Sequence, residues 1–141
     1  MNPIEETIPA APSGLRRAHK MVGELQRTRN LSREVVFALN VVLDELISNI
    51  IKYAYSDEAC HAIRLKLSAN ADFVEIQIED DGKPFNPLRA PAPDLTSSLS
   101  GRPVGGLGVH FVRSLMDAME YARLGPLNRL TLRKRLHASK A

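Results

Sequence analysis

Between Val35 and Ala54 apolar residues recur every three or four positions, at Val35, Val36, Leu39, Val42, Leu43, Leu46, Ile47, Ile50, Ile51 and Ala54. That period predicts an amphipathic helix with a wide buried stripe. Ser32 stands where an N-cap belongs. A second helical stretch is expected from about Leu15 to Arg27, after a short segment, Ile4 to Ile8, that reads as an edge strand and a break at Ala-Ala-Pro-Ser. The period then changes to two. Ile63, Leu65 and Leu67 alternate with polar residues, Asn70-Ala71-Asp72 can turn the chain, and Val74, Ile76 and Ile78 alternate within Phe73 to Glu79. This is the pattern of an antiparallel hairpin. A third helix is expected from about Leu107 to Met119, then strands Glu120 to Leu124 and Asn128 to Leu136. Helices and strands so segregated predict a two-layer α+β fold.

From Asp80 to Gly108 regular structure is largely excluded, because five of the nine prolines and five of the eight glycines fall there. A loop of that length inside a compact domain is usually a lid or a binding loop. The 141 residues suit a single domain spanning 1–141, with the lid at about 80–108. Composition narrows the function classes. An apolar content of 44% with 25% charge is that of a globular chain able to bury a core. No apolar run reaches the roughly 18 residues a membrane span needs, and no basic-then-apolar segment opens the chain, so a cytoplasmic protein without membrane contact is expected. Cys60 is the sole cysteine, which excludes an internal disulfide, and His19, His61, His110 and His137 show no ligand spacing. The pI near 9.2 suggests nucleic acid, but a net charge of +3 and 5% aromatic residues argue against direct binding.

Two stretches and a loop carry candidate chemistry. Glu45, Asn49 and Lys52 are four and then three positions apart, so they project from nearly one line of the Ser32 helix. A carboxylate, a neutral oxygen and a cation so arranged could serve a proton, a hard divalent ion and a phosphate; the alternative is a solvated face with an ion pair. In Glu79-Asp80-Asp81-Gly82-Lys83-Pro84-Phe85-Asn86-Pro87 acidic residues end a strand and glycine lets the backbone turn close to a ligand. A strand-end carboxylate there can accept from an exocyclic amine; an ordinary Asp-Gly turn is the alternative. Finally, Gly101-Arg-Pro-Val-Gly105-Gly106-Leu107-Gly108 opens the third helix, where free N–H groups and the helix dipole favour an anion. It lacks both the phosphate-loop lysine and a dinucleotide fingerprint.

With Glu45-Leu-Ile-Ser-Asn49-Ile-Ile-Lys52, Asp80-Asp-Gly82 and Gly105-Gly-Leu-Gly108 in this order, the chain resembles the GHKL (Bergerat-fold) ATPase and kinase superfamily from about Leu31 to Leu136. Asp80-x-Gly82-x-Pro-Phe-Asn-Pro, Val112-Arg-Ser-Leu-Met-Asp117 and Asn128-Arg-Leu-Thr-Leu-Arg-Lys look like its anti-sigma factor branch. The resemblance implies a two-layer sandwich with a mixed sheet of about five strands and three main helices on one face. It implies a serine/threonine protein kinase that uses ATP and Mg²⁺, binds a sigma factor or equivalent, and phosphorylates a STAS-domain anti-anti-sigma antagonist. By the same resemblance Asn49 holds Mg²⁺, Glu45 acts as general base or orients the nucleophile, and Asp80 reads adenine. Gly82, Gly106 and Gly108 match glycines of the nucleotide pocket and lid, with Gly105 and Leu107 in the same loop. Lys52-Tyr53 look like the corresponding ending in histidine kinases, which puts Lys52 near phosphate. Val104 stands where some members carry a lid arginine, with Arg102 the nearest substitute, and Asn128 stands in for a threonine that helps seat adenine.

Three other readings stay open. One is an ATP-binding partner-switching module with little or no kinase activity. Another is the catalytic module of a histidine kinase, although the helix bearing His19 is short for a dimerisation hairpin. The third is a nucleic-acid binder, which the modest charge disfavours. Tyr53 and Tyr55 are expected to pack at the helix end, and Arg16-Arg17 and Arg133-Lys134-Arg135 to be solvated. Nothing in the sequence separates a monomer from a homodimer.

Overall fold

The fold is described by a computed structural model over residues 3–56, 59–89 and 106–136. In chain order the elements are β1 (Ile4–Pro9), α1 (Pro12–Arg29), α2 (Arg33–Tyr53), β2 (Ala62–Ala69), β3 (Phe73–Asp80), α3 (Gly106–Leu115), β4 (Ala118–Leu124) and β5 (Leu127–Arg135), with one turn of 3-10 helix at Pro87–Arg89. Five strands form one sheet in the order β1-β2-β3-β5-β4. No described helix is long and apolar enough to cross a membrane.

The mixed sheet that the resemblance implies is corrected here: all four strand pairings are antiparallel. Chain direction supplies the reason. After β3 the chain crosses over through α3 and returns as β4 running the same way as β3, but the two do not pair. A two-residue loop, Gly125-Pro126, folds β5 back into the gap between them, antiparallel to both. Gly125 has φ of +59°, a conformation glycine adopts without strain.

Helix α2 starts as its sequence requires, with the Ser32 hydroxyl oxygen accepting from Val35 N at 3.2 Å. Helix α1 begins three residues earlier than its hydrophobic period suggests, because Pro12 fits the first turn of a helix, where no N–H bond is needed. It closes on Asn30, whose φ of 54° and ψ of 49° form a left-handed cap. Helix α3 stops at Leu115 and not at Met119, since Asp117 N donates to Arg133 O at 2.8 Å and Ala118 opposite Arg133 begins the β4 ladder.

One face of the sheet is apolar and covered. Ile8, Ile63, Leu65, Leu67, Ile76, Ile78, Leu130 and Leu132 pack against Met21, Val22 and Leu25 of α1, Leu39, Leu43, Leu46 and Ile47 of α2, and Val112 of α3. The other face alternates charge, with ion pairs Glu5–Arg64, Glu79–Arg129 and Glu75–Arg133 crossing between neighbouring strands. Period two thus dictates which strand residues meet the helices, and it continues past the apolar positions: Ile76, Ile78 and then Asp80 share the covered side.

The junction of β1 and α1 is tight. A β-carbon on Gly14 would stand 2.0 Å from the carbonyl oxygen of Pro9, whereas one on Gly23, on the same helix, would have only the tip of Arg27 within reach, at 3.8 Å. The two glycines therefore predict opposite outcomes in urea unfolding. Gly14→Ala costs about 1–3 kcal/mol through a backbone clash that no rotamer relieves, and Gly23→Ala adds about 0.5–1 kcal/mol through helix propensity.

Candidate functional site

Where the C-terminal half of α2 passes over the ends of β3 and β5, the two layers do not close, and a cavity of about 220 Å³ remains. Leu46, Asn49, Ile50 and Tyr53 of α2 line one side, at the spacing of a single helical stripe. Ile78, Asp80, Tyr121, Asn128 and Leu130 of the sheet line the other, and Lys83 to Phe85 form part of the rim.

The closed end is polar. Asp80, 7% exposed, accepts from Gly82 N at 2.9 Å and from Asn128 Nδ2 at 3.0 Å, both on Oδ1. Its other oxygen, Oδ2, has no donor among the described residues. Asn128, 6% exposed, stands directly opposite Asp80 in the β3–β5 register. Its Nδ2 also donates to Lys83 O at 2.8 Å and contacts Gly82 O at 3.5 Å, while its Oδ1 accepts from Phe85 N at 3.4 Å and from the Tyr121 hydroxyl. One amide thereby ties the strand end, the following turn and β4 together.

That turn sits hard against α2. Lys83 N donates to Ala54 O at 2.9 Å, serving a carbonyl at the helix end. A β-carbon on Gly82 would lie 2.5 Å from Ala54 Cβ and 2.6 Å from Ala54 O, so only glycine permits the approach. Arg123 Nη1 donates to Gly82 O at 2.8 Å from the far side. Beside the turn, the Tyr55 hydroxyl donates to Asp81 Oδ1 at 2.9 Å and the Tyr55 ring stacks on His61 with centroids 3.6 Å apart.

Among the residues expected from the sequence, Asn49, Asp80 and Asn128 meet in this cavity. Gly82 shapes its rim. Glu45 lies half-buried one turn before Asn49, where α2 meets α3: a β-carbon on Gly108 would fall 1.7 Å from Glu45 Oε1, so glycine there leaves room for the carboxylate. Gly106 and Leu107 form the first turn of α3. Lys52 is exposed on the flank of α2 and is not part of the lining, because it and Glu45 fall to one side of the stripe that faces the cavity. Arg102 and Gly105 lie outside the described residues, as does most of the expected lid. Tyr53, expected to pack at the helix end, instead lines the cavity and is 41% exposed. Sequence reasoning missed Tyr121 and Lys83 altogether. The alternation of Met119, Tyr121 and Arg123 on β4 could have put Tyr121 on the helix-facing side, but nothing in the sequence shows that β5 brings it beside Asn128.

The residues present fit an adenine nucleotide with a hard cation. Asp80 offers a carboxylate oxygen with no donor among the described residues at the end of an apolar slot, and Asn49, 9% exposed, lines the same cavity with a side-chain amide that bonds to no other described residue. No group of three His, Cys, Asp or Glu gathers among the described residues, so a cation at Asn49 would take most of its ligands from phosphate and water.

Comparison with known proteins bears on the family and the fold. The sequence profile of the histidine kinase-like ATPase domain family matches residues 8–134. A serine/threonine-protein kinase BtrW of Bordetella bronchiseptica is 34% identical over 101 residues, covering 72% of this chain and 71% of that protein. A serine-protein kinase RsbW of Oceanobacillus iheyensis is 28% identical over 119 residues, covering 81% and 75%. Among solved structures, the RsbU and RsbW domains of a Mycobacterium tuberculosis protein superimpose with a TM-score of 0.68 at 13% identity, over 96% of this chain and 32% of that one. A blue-light activated histidine kinase of Erythrobacter litoralis gives 0.55 at 15% identity, over 84% and 42%. At these identities the structural likeness is one of fold, and this chain spans about a third and about two fifths of the two solved chains.

Tyr55 makes the rim sensitive to alkali. Burial first, then its bond to Asp81 and the nearby charges of Asp80 and Asp81, raise its pKa well above the usual 10.0. The neutral phenol is the favoured form, so its contribution is complete below pH about 10 and declines above it, where the unfolded chain ionises and the folded one does not. Urea unfolding across pH 9 to 11 should show stability falling with rising pH, and Tyr55→Phe should make that fall shallower.

Proposed function

The chain belongs to the histidine kinase-like ATPase domain family, and from that membership we propose that it is a Mg·ATP-dependent serine/threonine protein kinase acting as an anti-sigma regulatory factor. The observation that carries the reading is the closed end of the cavity, where Asp80 is buried with Oδ1 doubly bonded and Oδ2 left to a ligand. An acceptor at the end of an apolar slot suits the exocyclic amine of adenine.

In this reading the base lies between the α2 stripe and the sheet, with Ile50 and Tyr53 on one side and Ile78 and Leu130 on the other. Asn49 supplies an oxygen ligand to magnesium, and the first turn of α3, from Gly106, offers backbone N–H groups to phosphate. Magnesium held at Asn49 would supply neutralisation of phosphate charge. Glu45 accepts the proton of the attacking serine hydroxyl, a role that depends on reach more than on a shifted pKa. Gly108 keeps the space that carboxylate occupies beside α3. Because the transition state is loose, these residues act mainly by holding and by neutralising charge.

The names of the relatives support the class of reaction, since both are called protein kinases acting on serine or on serine and threonine. The partners that follow are a STAS-domain anti-anti-sigma protein as phosphoryl acceptor and a sigma factor or equivalent as the bound target, which places the work in the cytoplasm.

Calorimetric titration of ATP, with and without Mg²⁺, tests the site. The wild type should bind in a magnesium-dependent way. Asp80→Asn should weaken binding at least tenfold, since its amide presents a donor where the base also donates, and Asn49→Ala should abolish the magnesium dependence. A wild type that takes up no ATP at millimolar concentration would sink the proposal. Phosphoryl transfer to a STAS-domain serine should fall by about 10²- to 10⁴-fold in Glu45→Ala while ATP affinity is kept. Label appearing on His19 of this chain, and on no partner serine, would favour the histidine-kinase reading instead.

A further inference from the structure

Tyr121 lies on β4, opposite Leu130 of β5, and its side chain reaches the cavity without taking part in the chemistry assigned above. Its hydroxyl donates to Asn128 Oδ1. An amide can turn end for end, exchanging its donor and acceptor edges. In Asn128 the donor edge faces three oxygens, Asp80 Oδ1, Lys83 O and Gly82 O, while the acceptor edge faces two donors. One of those two, Phe85 N, stands at 3.4 Å, the long limit of a hydrogen bond. The Tyr121 hydroxyl is therefore the principal partner of Oδ1.

We infer that Tyr121 is a positioning residue that contributes to base specificity: by holding Asn128 Oδ1 it keeps the amide's NH₂ turned toward Asp80 and the turn and away from the ligand. The inference rests on the reading of the cavity as a nucleotide site. With the amide held as it is, the described donors that surround the Asp80 carboxylate are engaged. Gly82 N is taken by Asp80, Asn128 Nδ2 by Asp80 and two carbonyls, and the Tyr121 hydroxyl proton by Asn128. What faces the ligand is an acceptor, which accepts an amino-substituted purine and repels a keto oxygen at the same place. Remove the phenol and Oδ1 keeps one long bond. The amide is then held from its donor edge alone, by the Asp80, Lys83 and Gly82 oxygens, and a turn that brings NH₂ to the cavity side, where Phe85 and Tyr121 form the lining, is opposed by one partner fewer. A donor presented there offers a keto oxygen a partner, so discrimination shrinks. Asp80 remains in place, and part of the preference survives with it.

The test is the ratio of ATP to GTP affinity, measured by displacement of a fluorescent adenine nucleotide from the full chain in the presence of Mg²⁺. Tyr121→Phe keeps the ring and should reduce the ratio by roughly threefold to tenfold, the worth of one net hydrogen bond. A residue that only props up the wall would weaken both nucleotides alike, and an unchanged ratio overturns the inference. In an Asn128→Ala background, where the ratio should already be reduced, adding Tyr121→Phe should change it no further. A second drop of the same size would show that Tyr121 does not act through Asn128, which also overturns the inference. This cycle keeps the question open to an answer even where Tyr121→Phe alone lowers stability, because both arms are read as ratios on the same protein. A wild type that binds neither nucleotide removes the nucleotide reading itself and is seen before any Tyr121 variant is made; a wild type that binds ATP with a Tyr121-independent ratio removes only the present inference.

Discussion

A carboxylate buried beneath the end of a sheet is unfavourable unless hydrogen bonds replace its lost water, and the way this chain meets that constraint at Asp80 organises much of what surrounds it. The two bonds to Oδ1 come from a backbone N–H two residues on and from an amide on the neighbouring strand. The first fixes the Asp80–Gly82 turn. The second requires Asn128 opposite Asp80, hence the β3–β5 register, and Asn128 in turn engages the Lys83 carbonyl and the Tyr121 hydroxyl. Moving the register by one residue would turn Asn128 to the outer face and leave the carboxylate unpaired. The polar hub and the apolar sheet therefore specify the same alignment, each through its own physics.

Helix α2 serves both layers of that arrangement. Leu39, Leu43 and Ile47 are buried in the core, and its last turns direct Asn49, Ile50 and Tyr53 to the cavity. Two glycines make this compatible with close packing. Gly82 lets the turn press onto Ala54 at the end of α2, and Gly108 lets α3 lie against Glu45. At Gly82 the missing side chain is required by the backbone of Ala54, whereas at Gly108 it leaves room for the Glu45 carboxylate in the position that side chain takes.

Much of this architecture was legible in the sequence because it follows from periodicity. The three-four spacing after Ser32 and the alternation through Ile63–Ile78 each reflect a face that must be buried, and burial is a local property of the pattern. Asp80 and Asn49 were legible for a related reason, being polar residues at the end of, or within, an apolar run. What escaped depended on contacts distant in the chain. That Tyr53 lines a cavity and Lys52 does not turns on about 100° of helix rotation relative to the sheet, which three polar residues on nearly one line do not resolve. That the sheet is wholly antiparallel turns on β5 entering between β3 and β4, a choice made by a hairpin loop and paid back only in non-local pairing. Tyr121 was invisible because its partner, Asn128, lies seven residues away around that same hairpin.

The insertion of β5 also bears on what surrounds the carboxylate at this corner. Were β4 paired directly with β3, the neighbours of Asp80 on the helix side would come from Met119, Tyr121 and Arg123, the last of which carries a full positive charge. A paired carboxylate is satisfied and has little left for a ligand. With β5 between them, Arg123 is displaced one strand outward and bonds to the Gly82 carbonyl, leaving Asn128, a neutral donor, to occupy one oxygen of Asp80. The topology thus replaces a full countercharge by a neutral amide hydrogen bond, which holds the carboxylate in position and leaves its second oxygen without a donor among the described residues.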